Sequence, residues 1–369
     1  MSNAVLTHRH LNRATLARQL LLERADMGLV EAVDWLIGLQ GQVSEGPYQG
    51  LWSRLRGFRH EDLTRLIVDR TLVRATSLRS TLHLHTVGDL VGLRPLVQPV
   101  LDRMWKSAFG NRRFGGNDIE AVHLAGVELL NQGPLTGGQL GKALTARFPE
   151  GDALAKSVLM QVKEILVQIP PTRIWVSGHA PILTRIENWV TPLPEHHLNV
   201  AELVIRYLRA YGPASVADMQ TWSGLSRLGD VVAALPDQLV EFTTEDGRVL
   251  FDLPDAPRPD PDVTTPPRFL PLYDNAYLGY EDRGRMLDAR VLGRINVLAE
   301  YKPAVLIDGF IDAGWTIKAG RRVGQLSVEP YRPLTKREAA EVEAEGLAFL
   351  RFMQPAASAY QFELLPVRD

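Results

Sequence analysis

Apolar residues recur at intervals of three and four across residues 11–22 and 29–39, a spacing that places them along one face of a helix. Residues 62–70 carry a third helical pattern. Residues 72–78 and 81–85 then alternate apolar and polar with period two, which predicts a β-hairpin. Helices followed by a hairpin read as a helix-turn-helix with a wing. The same order returns twice. Helical patterns over 118–131, 138–146 and 154–166 precede an extended pair at 173–176 and 182–186. Helices over 200–210, 216–222 and 225–234 precede strands 239–243 and 249–253, which flank the turn Glu245-Asp246-Gly247. Two junctions echo each other, Gly133-Pro134-Leu135-Thr136 and Gly212-Pro213-Ala214-Ser215. In each, glycine stops one helix while proline and a hydroxyl residue open the next.

Residues 254–271 hold seven prolines in eighteen positions, which no helix or central strand tolerates, so a stiff connector is expected there. Beyond it, strands are expected at 268–273, 304–307, 314–317, 324–328 and 360–365, with an acidic helix over 336–352. The resulting fold class is α+β, with three tandem winged-helix units over 1–115, 116–196 and 197–256 and a C-terminal β-barrel-like domain over 257–369.

The chain has 369 residues, of which 45% are apolar, enough for a large core. It has no cysteine, so disulfides, thiolate nucleophiles and Cys-bound zinc are excluded. No apolar run reaches the ~20 residues of a membrane helix, and the N-terminus lacks a signal-peptide stretch, so a cytoplasmic protein without membrane attachment is expected. Net charge is −2, yet the charge is uneven: residues 54–113 carry twelve Lys/Arg against five acids. Either a solvated helical surface or a polyanion-facing one fits that surplus. Arginine outnumbers lysine 34 to 7, which suits forked contacts to phosphates and base edges.

Phosphate loops, the Rossmann glycine fingerprint, His-Glu-x-x-His and the nucleophile elbow are all missing from the sequence. His196-His197 read as exposed loop histidines, with no metal and no cofactor implied. Gln40-Gly41-Gln42 differs, because an apolar helix ends there in two amides two residues apart. Taken alone the pair reads first as a frayed helix end, but two amides converging on one small group could orient a water by offering an acceptor and a donor together. Thr81, His83 and His85 share one face of an alternating strand, next to Arg74 and Arg79. A structural role fits those histidines before a ligand or acid role. Lys318, Arg321 and Arg322 surround a hairpin tip that could solvate an edge or reach phosphates.

Several motifs in order resemble the AlkZ-like winged-helix DNA glycosylases. They are Leu39-Gln40-Gly41-Gln42 with Pro47-Tyr48 and Leu51-Trp52, Arg79-Ser80-Thr81-Leu82-His83-Leu84, and Gly212-Pro213-Ala214-Ser215 with Trp222-Ser223-Gly224-Leu225. Leu272-Tyr273-Asp274-Asn275, Asp282-Arg283, Val305-Leu306-Ile307-Asp308-Gly309, Gly314-Trp315 and Val328-Glu329-Pro330 follow. The resemblance implies a C-shaped array of three winged helices on a β-barrel, with duplex DNA in the concave channel. It also implies a catalytic Gln-aliphatic-Gln motif at Gln40 and Gln42, here with glycine in the middle. DNA contacts are expected from Arg79, Thr81, His83, His85, Tyr273, Asn275, Lys318, Arg321 and Arg322.

The activity so implied is monofunctional hydrolysis of the N-glycosidic bond of N7-alkylated purines, including bulky or interstrand-crosslinked adducts, in DNA repair or antibiotic self-resistance. Glutamine at position 42, where a branch of broader substrate range carries an acid, points to the crosslink-resistance branch. The expected enzyme works as a monomer on double-stranded DNA carrying such lesions, in an open groove rather than a closed base-flipping pocket. A non-catalytic winged-helix transcriptional regulator and a protein-interaction scaffold are the competing readings.

Overall fold

The computed structural model describes residues 5–172, 174–175, 178–288, 291, 302–318, 320 and 322–367. Its strands are β1 (Val5–Leu6), β2 (Leu39–Gln40), β3 (Leu72–Thr76), β4 (Leu82–Thr86), β5 (Leu135–Thr136), β6 (Leu166–Ile169), β7 (Ile182–Arg185), β8 (Val240–Thr244), β9 (Val249–Asp252), β10 (Arg268–Phe269), β11 (Ala304–Ile307), β12 (Phe310–Lys318), β13 (Val323–Pro330) and β14 (Ala359–Leu364). They form three sheets in a mixed α+β fold: β1-β8-β9, β2-β4-β3-β6-β7-β5 and β10-β11-β12-β13-β14.

One order of elements occurs three times: a helix, a short strand, two helices and a hairpin. In the first repeat the helix Leu29–Trp35 leads to β2, the helices Gly46–Arg54 and His60–Val68, and then β3 and β4. In the second, Ile119–Gln132 leads to β5, the helices Gly137–Arg147 and Ala153–Lys163, and then β6 and β7. The third runs Val200–Tyr211, Val216–Ser223 and Leu228–Ala233 before β8 and β9, and a lone bridge from Ala214 to Phe251 takes the place of the short strand. In the first two repeats the short strand pairs with the second strand of its own hairpin, β2 with β4 and β5 with β7. Thr136, Asn199 and Ser215 each close a capping box, so hydroxyl and amide side chains satisfy the amides that helix starts leave open.

Two expectations need correcting. The expected extended pair at 173–176 is instead β6, at Leu166–Ile169; Arg173 and Val176 lie outside the described residues, and Ile174 and Trp175 sit in a bend and turn. The repeats also interlock. Arg74 of β3 stands opposite Gln168 of β6, so one sheet runs across the boundary expected at 115, and β1 adds in parallel to the third hairpin. The C-terminal part is a curled, half-barrel sheet, in keeping with the barrel-like expectation; β10 and β14 each pair on one side only among the described residues, and the helix Lys336–Met353 packs on the sheet through Val342, Phe349 and Leu350.

The proline-rich connector has no regular structure over 254–267, as expected, and the first helix, His8–Arg18, holds it down. Arg9, Arg13 and Arg18 donate to the carbonyls of Pro261, Val263 and Pro257. Arg18 also grips Asp252 through two hydrogen bonds of 2.6 and 2.8 Å, with both side chains fully buried. Removing one partner would strand a buried charge, so this pair fixes geometry more than it adds net stability.

His60 ties three regions together. Its ring stacks on Trp175 at 3.8 Å and on Phe352 at 3.9 Å, and burial pushes its pKa down to about 4. The unfolded chain binds that proton below about pH 6.5 while the folded chain does not, so stability is lost as pH falls from about 6.5 toward 4. Urea unfolding midpoints measured from pH 7 to 4.5 are expected to fall, and His60→Phe to flatten the slope; an unchanged slope in that variant contradicts the assignment.

Candidate active site

The helix Leu29–Trp35 ends in a turn through Ile37 and Gly38, both with positive φ (57° and 93°). Gly38 must be glycine, because a Cβ there would lie 2.4 Å from the His85 ring. The chain then enters β2, where Leu39 sits in the core opposite Leu84 and Gln40 stands opposite His83. The Gly41 amide donates to the Leu82 carbonyl at 2.7 Å, which extends the pairing one residue further before residues 41–45 bend away toward the next helix.

Gln40 is half-buried and Gln42 exposed. The Gln40 Oε1 accepts the backbone N–H of Gln42 at 2.7 Å, and its Nε2 donates to Thr81 Oγ1 at 3.4 Å. The first contact is strong and the second weak. Gln40 is thereby fastened to the turn it precedes, while the Gln42 side-chain amide meets solvent with no hydrogen bond among the described residues. One lone pair of Gln40 Oε1 and one proton of its Nε2 also stay available.

Two buried side chains hold this segment from behind. Asn275, 5% exposed, donates Nδ2 to the Gly38 carbonyl at 2.8 Å. Arg74, 2% exposed, donates to the Gly41 carbonyl at 3.3 Å and to the Ser44 carbonyl at 3.1 Å. Arg74 also lies against the glycine between the glutamines. A Cβ at position 41 would lie 3.3 Å from Arg74 Nε and 3.4 Å from its Cδ and Cγ, so a middle side chain would press on the arginine. Gly41 has no positive φ. Its backbone is pinned on both sides, by Leu82 and by Arg74, rather than loosened.

His83 and His85 are buried, at 1% and 0% exposure, and so give no surface to a duplex; the expectation that they contact DNA is corrected accordingly. His83 Nδ1 lies 3.1 Å from the Thr81 carbonyl, which can only accept, so the proton sits on Nδ1 and Nε2 is a bare acceptor without a hydrogen-bond partner in the described structure. Burial, then Arg79, then His85 push the His83 pKa well below its ordinary value. Burial holds His85 at about 4, and its Nε2 pairs with Ser77 Oγ at 2.8 Å. Both rings are neutral at pH 7. Thr81 does share their face of the hairpin, and its hydroxyl donates to the Leu78 carbonyl.

Arg79 also turns inward. It is half-buried, with φ 53°, and donates to the Trp222 carbonyl, so it tethers the hairpin loop to the third repeat. Asn275 likewise spends its amide on the protein. Its neighbour Asp274 takes two hydrogen bonds from buried Arg54, at 2.9 and 2.7 Å. Tyr273 is half-buried with φ 66°. Lys318 ends β12 and Arg322 precedes β13, both exposed; Arg321 lies outside the described residues. The structure thus brings Gln40, Gln42, Thr81, His83, His85 and Arg79 to one corner, adds Asn275 through Gly38, and leaves Lys318 and Arg322 on the separate five-stranded sheet.

The basic stretch is not one solvent-facing surface. Arg54, Arg74 and Arg94 are buried, Arg79 is half-buried, Arg59 and Arg65 share Asp62, and Arg113 pairs with Asp152. Arg74 is a functional residue beyond the sequence-based candidates, and its signal in the sequence is a lone cation in the apolar run Leu72-Val73-Arg74-Ala75. Among the described residues no group of three or more His, Asp or Glu is placed to hold a metal ion, and no helix is long and apolar enough to cross a membrane.

No curated protein matches the chain. Among solved structures, Streptomyces sahachiroi DNA glycosylase AlkZ is similar, with a TM-score of 0.75 and 20% identity over 98% of this chain and 100% of that one. At that identity the likeness concerns the fold. The family profile described as "DNA glycosylase AlkZ-like" matches residues 33–352, which span all three repeats and most of the C-terminal sheet. This chain therefore belongs to the AlkZ-like DNA glycosylase family.

Proposed function

We propose that the protein is a monofunctional DNA glycosylase that hydrolyses the N-glycosidic bond of N7-alkylated purines in duplex DNA, bulky and interstrand-crosslinked adducts included, with Gln40 and Gln42 as the catalytic pair. The observation that carries this reading is the anchored Gln40 beside the solvent-open amide of Gln42. Alkylation at N7 makes the base cationic, so it departs as a neutral molecule and needs no strong general acid. What remains is to aim a water at C1′ of an oxocarbenium-like sugar. An amide carbonyl accepts from that water and an amide N–H donates to it, so the pair can fix its orientation without titrating. Positioning and fixed dipoles of this kind supply several kcal/mol of barrier reduction.

The three repeats are read as winged helices over 1–115, 116–196 and 197–256, with the C-terminal sheet as their support. Lys318, Arg322 and, by sequence, Arg321 are proposed to reach the phosphate backbone, and Tyr273 to line its path. No residue of 39–45, β3 or β4 is a lysine, so these segments offer no amine for a Schiff base and an abasic product without strand scission is expected.

Gln40→Ala and Gln42→Ala are each expected to slow release of N7-methylguanine by about 10²-fold or more, as loss of one preorganised group does elsewhere, while duplex affinity stays unchanged. Wild-type single-turnover rates in both variants remove the assignment. Gly41→Val should drive a side chain into Arg74 and lower the excision rate by at least about tenfold at unchanged melting temperature, in keeping with the cost of misplaced groups; full activity in that variant contradicts the clamp. The rate of N7-methylguanine release should be flat from about pH 5.5 to 8.5, because the amides do not titrate and burial keeps His85 neutral down to about pH 4. A titration limb between pH 6 and 7 would reveal a general base in their place.

A further inference from the structure

We infer that the start of the helix Gly137–Arg147 binds one phosphate of the DNA backbone close to the lesion, through the amides of Gly137 and Gly138 and the hydroxyl of Ser157. The inference rests on the reading given under Proposed function for the presence of DNA and its placement at Gln40 and Gln42. The site itself stands on three observations.

The first is a pair of open donors. A helix leaves its first amides without partners inside the helix. The Thr136 amide donates to Gln139 Oε1 at 2.8 Å and the Gln139 amide donates to Thr136 Oγ1 at 3.2 Å, so the capping box satisfies those two. The amides of Gly137 and Gly138 have no partner among the described residues. Neither residue carries a side chain that would keep an anion away from its N–H. The cap is also neutral, since a glutamine closes it and no acid stands in the first turn. The partial positive charge of the helix start is thus left to an outside group.

The second observation is a hydroxyl aimed at the same spot. Ser157 is only 2% exposed, and its side chain has no hydrogen-bond partner among the described residues. Its Oγ lies 3.2 Å from where a Cβ on Gly137 would stand, and it is not sealed from solvent. A nearly buried hydroxyl with nothing to donate to calls for an acceptor. A phosphate oxygen between the two glycine amides and Ser157 satisfies all three donors at once.

The third observation is location. The helix start and Ser157 share a cavity of about 510 Å³ with Leu82 and Pro181, and among the described residues that bound it none is acidic or basic. No carboxylate repels a phosphate there, and the contact is made by dipoles alone, which a count of lysines and arginines does not register. Leu82 is the residue whose carbonyl holds the Gly41 amide at 2.7 Å, so the cavity adjoins the Gln40–Gln42 turn. In the winged-helix reading this helix precedes the recognition helix, and in helix-turn-helix modules the preceding helix crosses the phosphate backbone. A phosphate fixed here sets the register of the duplex against the glutamines and carries no sequence information.

Gly138→Asp separates binding from folding. A Cβ at position 138 would meet nothing within 4 Å, and a carboxylate in the first turn suits the helix dipole, so the melting temperature should hold or rise. The same carboxylate takes the place of the phosphate, and affinity for a duplex with one tetrahydrofuran abasic analogue should fall by about tenfold or more. Ser157→Ala should weaken that affinity by about threefold or more. Neutral methylphosphonates placed one at a time along the duplex then locate the contact. With wild type, one position near the analogue should weaken binding by about fivefold or more; with Gly138→Asp, the same substitution should no longer weaken it. Wild-type affinity in both variants, a lowered melting temperature in Gly138→Asp, or a loss that is equal for every methylphosphonate position overturns the site. A wild-type protein that binds this duplex but releases no N7-methylguanine overturns the glycosylase reading and leaves the phosphate site standing. Absence of any duplex binding overturns both.

Discussion

A short turn is held in place because its carbonyls serve as the partners of buried donors. Asn275 takes the carbonyl of Gly38, and Arg74 takes those of Gly41 and Ser44. The dependence is mutual. A buried guanidinium is tolerated only where its N–H groups are satisfied, and hydrogen bonds to a charged group are each worth about 1.5–3 kcal/mol net. The turn in exchange loses the freedom that a surface loop normally has. Gln40 then closes the last gap by accepting the Gln42 amide, so the position of both glutamines follows from charges and amides lying beneath them.

The same use of arginine recurs at larger scale. Arg18 with Asp252 joins the first helix to the third hairpin, and Arg54 with Asp274 joins the first repeat to the segment that carries Asn275. Planar, always charged and forked, arginine can satisfy both oxygens of one carboxylate side by side. This explains why the most basic stretch of the chain contributes less to the surface than its composition implies. In the corner that holds Gln40 and Gln42, burial keeps both His83 and His85 neutral. Neutral groups would suit the cationic leaving base proposed above.

Much of this could be read from residue order. Period-two alternation placed β3, β4, β8 and β9, and the Gly-Pro-x-Thr/Ser junctions located the helices Gly137–Arg147 and Val216–Ser223 with their caps. The helix Gly46–Arg54 was not legible, because nearly every residue in it is buried and no polar face remains to set a 3.6-residue period. The helical stretch Val87–Phe114, broken by a kink at Gly110, was hidden by Pro95 and Pro99, residues that ordinarily argue against a helix interior. Gln40 and Gln42 are visible as a pair of residue types, but the clamp on the glycine between them comes from Arg74, thirty-three positions away, and distance in sequence conceals it. For the same reason Arg79, His83, His85 and Asn275 read as surface contacts although each is spent on the protein interior.

The account turns on one water held by two amides. The most direct measurement is a crystal structure of the protein on duplex DNA that carries a cationic azaribose in place of the lesion nucleotide, at a resolution that shows ordered solvent. The account predicts a single water within hydrogen-bonding distance of both the Gln40 and Gln42 side chains and in line with the C1′ position. A complex in which either amide points away from the sugar, or in which a carboxylate or histidine takes that place, would contradict it.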